Sequence, residues 1–102
     1  MRVTAVNGSP RSENNTATLL RCAMDGARAA GAQAELIHLR EVDFRGCVSC
    51  FGCKLKGNEN PSRCVVRDGL APVVDKVLAS DVLLLGSPIY MGEVTSDTRA
   101  FI

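Results

Sequence analysis

Short apolar stretches alternate along the chain with polar turns and with segments of helical periodicity. Val3–Asn7 is short, apolar and β-branched, which predicts a buried strand, and Ala34–Leu39 predicts a second one. Val82–Leu85 predicts a third strand, because its unbroken apolar run does not suit a sheet with one face in water.

Helical periodicity appears between these strands and again at the end of the chain. Residues 16–31 follow a polar turn, and Gly31 stands where a C-terminal cap is expected. Residues 70–80 predict a second helix with Asp68 as a candidate N-cap, and residues 95–102 predict the first turns of a third. The predicted apolar faces consist of Leu19, Leu20, Ala23, Ala27 and Ala30 in the first helix, and of Leu70, Val73, Val74, Val77 and Leu78 in the second.

The predicted order of elements is β-α-β-loop-α-β-α. Such alternation implies parallel strands with right-handed crossovers and helices on both faces of the sheet. The length of 102 residues predicts a single domain, 1–102. A long polar loop, from about residue 43 to 67, separates the second strand from the second helix.

The charge and apolar content exclude several classes of partner. A formal net charge of +1 gives no electrostatic reason to expect binding to nucleic acid or to an anionic membrane. The longest apolar runs are far shorter than a transmembrane span. The N-terminus lacks the long apolar segment of a signal peptide, so we expect a cytoplasmic protein.

Four of the five cysteines lie in the polar loop. Cys47, Cys50, Cys53 and Cys64 have the spacing C-x2-C-x2-C-x10-C, and thiols clustered in a reducing cytoplasm indicate metal binding or catalysis. The spacing resembles the start of a ferredoxin run, which favours a [4Fe–4S] cluster. Zinc, or free thiols without metal, are the alternatives. Cys22, in the first helix, is predicted to be a small core residue.

The turn after the first strand contains Gly8, Ser9, Arg11, Asn15 and Thr16, directly before a helix. It lacks the glycine patterns of dinucleotide-binding and P-loop proteins. Free N–H groups at a helix start, hydroxyl and amide donors and an arginine together favour binding of a phosphate. The alternative is an ordinary turn in which Asn15 or Thr16 caps the helix.

Three motifs carry a family resemblance. "GSPRSENNT" resembles the phosphate loop of the flavodoxin-like NADPH-dependent FMN reductases, and "GSPIYMG" resembles the same family's loop after the third strand. "CVSCFGC" with "CVVRDGL" resembles its cysteine segment, most developed in the iron–sulfur flavoproteins. The resemblance implies a flavodoxin-like three-layer αβα fold with a parallel sheet, truncated here to the strand order 2-1-3 of a five-stranded family fold.

The resemblance also implies a function, that of an FMN-binding flavoprotein oxidoreductase or electron-transfer protein with NAD(P)H as electron donor and a small-molecule or protein redox partner. A metal-binding module (zinc or iron–sulfur) without flavin activity is the alternative. By the same resemblance, the FMN phosphate is held by Ser9, Arg11, Asn15 and Thr16, the isoalloxazine ring is lined by Pro88, Ile89, Tyr90, Met91 and Gly92, and a [4Fe–4S] cluster is bound by Cys47, Cys50, Cys53 and Cys64.

Several remaining features add expectations. Residues 56–62 form an inserted turn relative to the family's spacing between the third and fourth cysteines. The basic side chains of the loop (Lys54, Lys56, Arg63 and Arg67) are most simply solvated, and His38 is most simply a structural residue. The third strand is expected to be an exposed apolar edge, and therefore a site of homo-oligomerisation.

Overall fold

The computed structural model of the protein describes residues 1–55, 57 and 63–102. The predicted inserted turn of residues 56–62, which includes Lys56, lies outside the described residues except for Gly57. The elements in chain order are β1 (Arg2–Asn7), α1 (Asn15–Ala29), β2 (Gln33–His38), two 3-10 turns (Leu39–Glu41 and Gly52–Lys54), α2 (Leu70–Leu78), β3 (Val82–Gly86), β4 (Ile89–Tyr90), β5 (Glu93–Val94) and α3 (Ser96–Phe101).

The main sheet has β1 at its centre. β1 pairs in parallel with β2 on one side and with β3 on the other, which gives the order β2-β1-β3. Val3 lies between Ala34 and Val82 in this register. The predicted α/β fold and the strand order 2-1-3 are thus confirmed.

Helices cover both faces of the sheet. Leu20 and Met24 of α1 pack on Ala5 of β1 and on neighbouring apolar residues of β2 and β3, which forms the core on that side. Successive side chains of a strand point to opposite faces, so Thr4 faces the other side. There its hydroxyl is hydrogen-bonded to that of Ser80, just beyond α2.

The buried face of α1 differs from the predicted one. Leu19 is 72% exposed, and Cys22 is exposed rather than a core residue. The buried positions are Ala17, Leu20 and Met24, separated by three and four residues as one helical face requires. Each residue turns the helix by about 100°, so Cys22 points away from the face that Leu20 occupies.

The outer part of the predicted face is also solvated, since Ala23 and Ala30 are exposed. Gly31 has φ +94° and follows the C-cap, which confirms its predicted role. Gly69, not Asp68, occupies the N-cap position of α2. The Asp68 carboxylate nevertheless accepts the N–H of Leu70 at 3.0 Å, so it satisfies a helix-start donor from one residue further out.

The outer edge of β3 is exposed, as predicted. In the described part of the chain, β3 pairs with β1 alone. Val82, Leu83 and Leu85 are 36%, 42% and 40% exposed. The edge therefore carries both unpaired backbone groups and apolar side chains. None of the described helices is long and apolar enough to cross a membrane.

The loops that leave β1 and β3 touch where these strands end. The Gly8 N–H donates to the Gly86 carbonyl at 2.8 Å. A Cβ on Gly8 would overlap the Thr98 hydroxyl and would lie 3.2 Å from the Gly86 oxygen. Thr98 is 1% exposed and its hydroxyl is hydrogen-bonded to that of Thr95, so moving it aside would disturb a buried contact. The contact therefore requires glycine at position 8.

We predict that Gly8→Ala lowers the free energy of unfolding by about 1–3 kcal/mol, the usual cost of overpacking. The matched control is Gly26→Ala in α1, where an added Cβ meets nothing within 4 Å. That substitution should stabilise the protein by roughly 0.5–1 kcal/mol, because alanine is the better helix former. Urea unfolding of the three proteins measures both effects, and equal stability of the two variants would contradict the close approach at Gly8.

Candidate functional site

Three loops meet at the carboxyl ends of the parallel strands, the edge at which open α/β sheets bind ligands. The first, residues 8–14, joins β1 to α1, and we call it the phosphate loop. The second follows β3 and contains the hairpin β4–β5. The third, residues 39–69, follows β2 and contains the cysteines.

The phosphate loop folds around the side chain of Asn7, the last residue of β1. Asn7 is fully buried, and its Oδ1 accepts the Ser9 N–H at 2.9 Å. Its Nδ2 lies 3.4 Å from the Arg11 carbonyl oxygen and 3.0 Å from His38 Nδ1. Ser9 is also buried, and its hydroxyl oxygen accepts the Arg11 N–H at 3.1 Å. No motif in the sequence indicates Asn7. The buried Ser9 hydroxyl makes its hydrogen bond within the loop.

The outer side of the phosphate loop is rich in free donors. The guanidinium of Arg11 is exposed and has no hydrogen bond or ion pair to any residue that the structure describes. The N-cap of α1 is Asn14, not Asn15 or Thr16, and its side chain makes no capping hydrogen bond. The first-turn amides of α1 therefore remain available, beside the exposed Asn15 and the half-buried Thr16. This combination suits an anion.

An ion pair fixes the end of the phosphate loop to α1. Glu13 accepts two hydrogen bonds of 3.1 Å from Arg21. The hydrogen bond and the charge of Arg21 lower the pKa of Glu13. A depressed pKa means that the pair stabilises the fold above the ordinary carboxyl pKa and loses that effect as the pH falls through the lowered value. Glu13 is thus ionised at neutral pH and paired with Arg21, which leaves Arg11 unpaired.

The hairpin after β3 was not predicted. Ile89 pairs with Val94, and Tyr90 with Glu93, so only two residues make the turn. These are Met91 and Gly92, with φ of +54° and +80°, the geometry of a type I′ turn. Met91 is fully exposed, Ile89 is 67% exposed and Tyr90 is 46% exposed. A non-glycine residue in this region costs about 1–3 kcal/mol, and such strain is concentrated at functional sites.

Two buried threonines join the hairpin to the phosphate loop. The Thr95 hydroxyl donates to the Gly8 carbonyl at 2.5 Å, and the Thr95 N–H donates to Ser87 Oγ at 3.0 Å. Since the Thr95 proton is used on Gly8, the Thr98 hydroxyl is the donor in the 2.8 Å contact with Thr95 Oγ1. Neither threonine belongs to a predicted site motif. Their signal is a threonine at the start of the last helix, where it caps the Thr98 N–H.

Hydrogen bonds between the two ends of the cysteine loop close its base. Asp43 accepts the Gly69 N–H through its carbonyl at 2.9 Å. Asp68 accepts the Arg45 N–H at 3.4 Å through its side chain. Gly46 lies against Ala100 of α3, where an added Cβ would be 3.6 Å from the Cβ of Ala100. Cys47, which follows Gly46, therefore lies near the edge where the phosphate loop and the hairpin meet.

The basic residues of this loop are partly paired. Arg63 forms an ion pair with Asp75 of α2, and Arg67 lies 4.0 Å from the same carboxylate. Both side chains are exposed, and so is Lys54. The expectation of a solvated basic loop thus holds for Lys54, while the arginines also anchor the loop to α2.

The structure does not bring the four loop thiols into one cluster. Cys47, Cys50 and Cys64 are exposed and Cys53 is half-buried. Among the described residues, no three histidine, cysteine, aspartate or glutamate side chains are placed to hold a metal ion. The donor set nevertheless has the chemistry of an iron–sulfur or zinc site.

Two details of the loop agree with that chemistry. Cys47 Sγ accepts the Ser49 N–H at 3.4 Å, a hydrogen bond to sulfur of the kind that tunes iron–sulfur centres. A Cβ on Gly52 would overlap the Val65 side chain. Gly52 directly precedes Cys53, and Val65 directly follows Cys64. Their contact therefore holds the chain segments at these two cysteines together.

A cavity of about 310 Å³ lies at the opposite end of the sheet. It is lined by residues at the starts of β1 and β2 and by α2. Lys76 Nζ and Glu35 Oε1, both in its wall, are 2.7 Å apart and neutralise each other. This cavity is separate from the edge where the phosphate loop and the hairpin meet.

The whole chain, residues 1–102, matches the family described as NADPH-dependent FMN reductase. An iron–sulfur flavoprotein of Archaeoglobus fulgidus is 33% identical over 102 residues, covering 100% of this chain and 47% of the relative. An iron–sulfur flavoprotein of Methanocaldococcus jannaschii is 32% identical over 99 residues, covering 97% of this chain and 49% of the relative.

A solved structure is also similar to this chain. The apo form of NADH:FMN oxidoreductase (EMOB) superposes with a TM-score of 0.68 at 26% identity, covering 98% of this chain and 47% of that one. The chain therefore spans about half the length of the curated relatives and of the solved structure that it matches.

Proposed function

Because the chain belongs to the NADPH-dependent FMN reductase family, we propose that it binds FMN between the phosphate loop and the hairpin and acts in flavin-dependent oxidoreduction. The observation that carries the proposal is the link of Gly8 to Gly86 and Thr95, which joins the two predicted flavin motifs. A metal-binding module without flavin would have no use for an unpaired arginine at a free helix start.

Bound FMN supplies the electron chemistry, and the protein residues bind and orient it. Arg11 and the first-turn amides of α1 hold the phosphate, with Asn15 and Thr16 as further donors. Ser9 shapes the loop from within. Pro88–Gly92 line the ring, where Tyr90 offers an aromatic face and Met91 an apolar contact. NAD(P)H is the proposed electron donor, in line with the family's description.

The cysteine loop is proposed to hold a [4Fe–4S] cluster through Cys47, Cys50, Cys53 and Cys64. The relatives are named iron–sulfur flavoproteins, and the loop starts at the edge where the flavin motifs lie. When bound, such a cluster accepts and passes on single electrons. We propose a cytoplasmic protein that exchanges electrons with a small-molecule or protein redox partner.

We predict that Arg11→Ala weakens FMN binding by about 1–3 kcal/mol, the scale of a lost charged hydrogen bond. The measurement is quenching of flavin fluorescence during titration. Arg28→Ala, at the other end of α1, is the matched control and should leave the FMN affinity unchanged. Riboflavin, which lacks the phosphate, should bind wild type and Arg11→Ala equally. Equal FMN affinity of the wild type and Arg11→Ala would remove Arg11 from the site.

For the cysteines, we predict that anaerobically reconstituted protein contains about four iron and four sulfide per chain, as a [4Fe–4S] cluster requires. Cys50→Ser should lose most of this iron because one thiolate ligand is gone. Cys22→Ser, on the exposed face of α1 outside the loop, is the control and should keep it. Full iron retention in Cys50→Ser would defeat the assignment, and stoichiometric zinc instead of iron would favour the zinc alternative.

The exposed edge of β3 leads us to propose that the 102-residue chain self-associates. Full burial of a large apolar side chain stabilises by roughly 1.5–3 kcal/mol, and covering the exposed part of each side chain at this edge would contribute a fraction of that value. Light scattering over a dilution series should detect a dimer or larger species. Leu83→Lys should favour the monomer, because a charge on an edge strand opposes pairing. Leu19→Lys, at an exposed position on α1 away from the edge, should not. A wild-type monomer at every concentration would refute the proposal.

A further inference from the structure

The last pair of the β1–β2 ladder, Asn7 and His38, connects the phosphate loop to the neighbouring strand. Asn7 is fully buried, and His38 is half-buried behind it. Neither residue belongs to the motifs that carry the proposed flavin site. Both nevertheless lie at the strand ends from which that site is built.

The neighbours of Asn7 determine which of its side-chain atoms is the donor. Oδ1 accepts the Ser9 N–H at 2.9 Å, so Nδ2 faces the Arg11 carbonyl and His38 Nδ1. An amide nitrogen donates hydrogen bonds and does not accept them. His38 Nδ1 must therefore be the acceptor, and neutral His38 carries its proton on Nε2.

Protonation of His38 is incompatible with this arrangement. An imidazolium has N–H groups at both ring nitrogens and accepts no hydrogen bond. Its Nδ1–H would face the N–H groups of Asn7 Nδ2. If the Asn7 amide rotated by half a turn, Oδ1 would satisfy His38, but Nδ2 would then face the Ser9 N–H. Either outcome removes a hydrogen bond that shapes the phosphate loop.

We propose that Asn7 and His38 are positioning residues of the phosphate loop, which holds the FMN phosphate tightly only while His38 is neutral. This inference rests on the proposed function, since it concerns the geometry of the same loop. Histidine is the side chain that ordinarily changes charge between about pH 5 and 8. FMN affinity is therefore expected to fall as the pH is lowered through that range.

Other charged groups near His38 have ion-pair partners of their own. The Glu13 carboxylate interacts with the imidazole but is held by Arg21. Arg40, two residues after His38, lies 3.9 Å from Asp97 of α3. A charged His38 would attract a phosphate, which opposes the loop effect. We expect the loop effect to dominate because His38 lies behind Asn7, on the inner side of the loop, whereas Arg11 and the helix amides face outward.

The decisive comparison uses wild type, His38→Asn and His38→Leu. Asparagine carries an oxygen acceptor near the position of Nδ1 and cannot be protonated, whereas leucine has no acceptor. FMN dissociation constants are measured for all three between about pH 5 and 8. The second ionisation of the FMN phosphate, near pH 6, contributes equally to the three curves, so differences between them isolate His38.

Wild-type affinity should fall roughly three- to tenfold more than that of His38→Asn at low pH, the effect of one lost hydrogen bond. The midpoint of this extra fall should match the titration of the imidazole signals by NMR, which are unambiguous because the chain has one histidine. At pH 8, His38→Leu should bind FMN more weakly than wild type, and His38→Asn should restore the affinity. Identical pH profiles of wild type and His38→Asn would overturn the proposal.

A measurement without flavin separates this inference from the proposed function. In protein free of FMN, the Ser9 amide resonance should titrate with the same midpoint as His38 in wild type, and should lose that step in His38→Asn. If the Ser9 amide resonance did not change as His38 is protonated, the proposed coupling would be overturned even if FMN binds. If none of the proteins binds FMN, the proposed function fails and the flavin part of this inference fails with it, while a coupled Ser9 amide would still support the Asn7–His38 link.

Discussion

The hydrogen bond from the Gly8 amide to the Gly86 carbonyl, 2.8 Å long, is the contact on which the candidate site depends. It forms because neither residue carries a side chain. Gly8 lies against Thr98, and Gly86 lies against Thr16 and Leu20 at the start of α1. One close approach therefore sets the distance between the loops of β1 and β3 and also brings the N-terminus of α1 onto the end of β3. In the order 2-1-3, this is the point where successive crossovers leave the central strand in opposite directions, and a crevice opens there.

The residues that support the candidate site are buried and hydrogen-bonded, whereas its outward side chains have few partners among the described residues. Thr95 and Thr98 are buried with satisfied hydroxyl groups, so they fix the base of the hairpin. At its tip, Met91 adopts a left-handed conformation and is fully exposed. Among the described residues, no packing of the Met91 side chain offsets the energetic cost of this backbone conformation. A flat apolar ligand over the hairpin would use both the turn and the side chain, as the isoalloxazine ring of FMN does in the proposed complex.

Much of the fold could be predicted because its elements have simple patterns. Each strand of the main sheet is a short apolar run, and the helices follow the 3.6-residue period closely enough to be located. Rotation about a helix axis is harder to predict when apolar residues surround it. In α1, alanines and leucines occur on several faces, so Leu19 and Cys22 were assigned to the core although the structure exposes them. The hairpin was missed because its Met91–Gly92 turn lacks the usual Asn-Gly signal.

The candidate site combines local motifs, which a sequence can show, with contacts that depend on strand register, which it cannot. The phosphate loop and the Pro88–Gly92 segment can each be recognised within a few consecutive residues. Asn7 and His38 are far apart in sequence, and their contact follows from the pairing of β1 with β2. The same holds for Thr95, whose hydroxyl reaches Gly8 only after β3 has paired with β1. Asn7 and His38 carry no local signal that distinguishes them from ordinary polar positions, and the N-cap signal of Thr95 does not indicate its contact with Gly8.

The spacing of the cysteines predicts a type of chemistry but does not predict the geometry of the loop that carries them. Its two limbs have different supports. The limb before Cys47 rests on α3 through Gly46 and Ala100, and the limb after Cys64 is tied to α2 through Arg67 and Asp75. Metal binding and the ordering of a ligand loop are coupled, so sulfur atoms are expected to converge upon ligation rather than before it. A cluster bound by thiolates from both limbs would therefore link α2 to α3 across the edge where the phosphate loop and the hairpin meet.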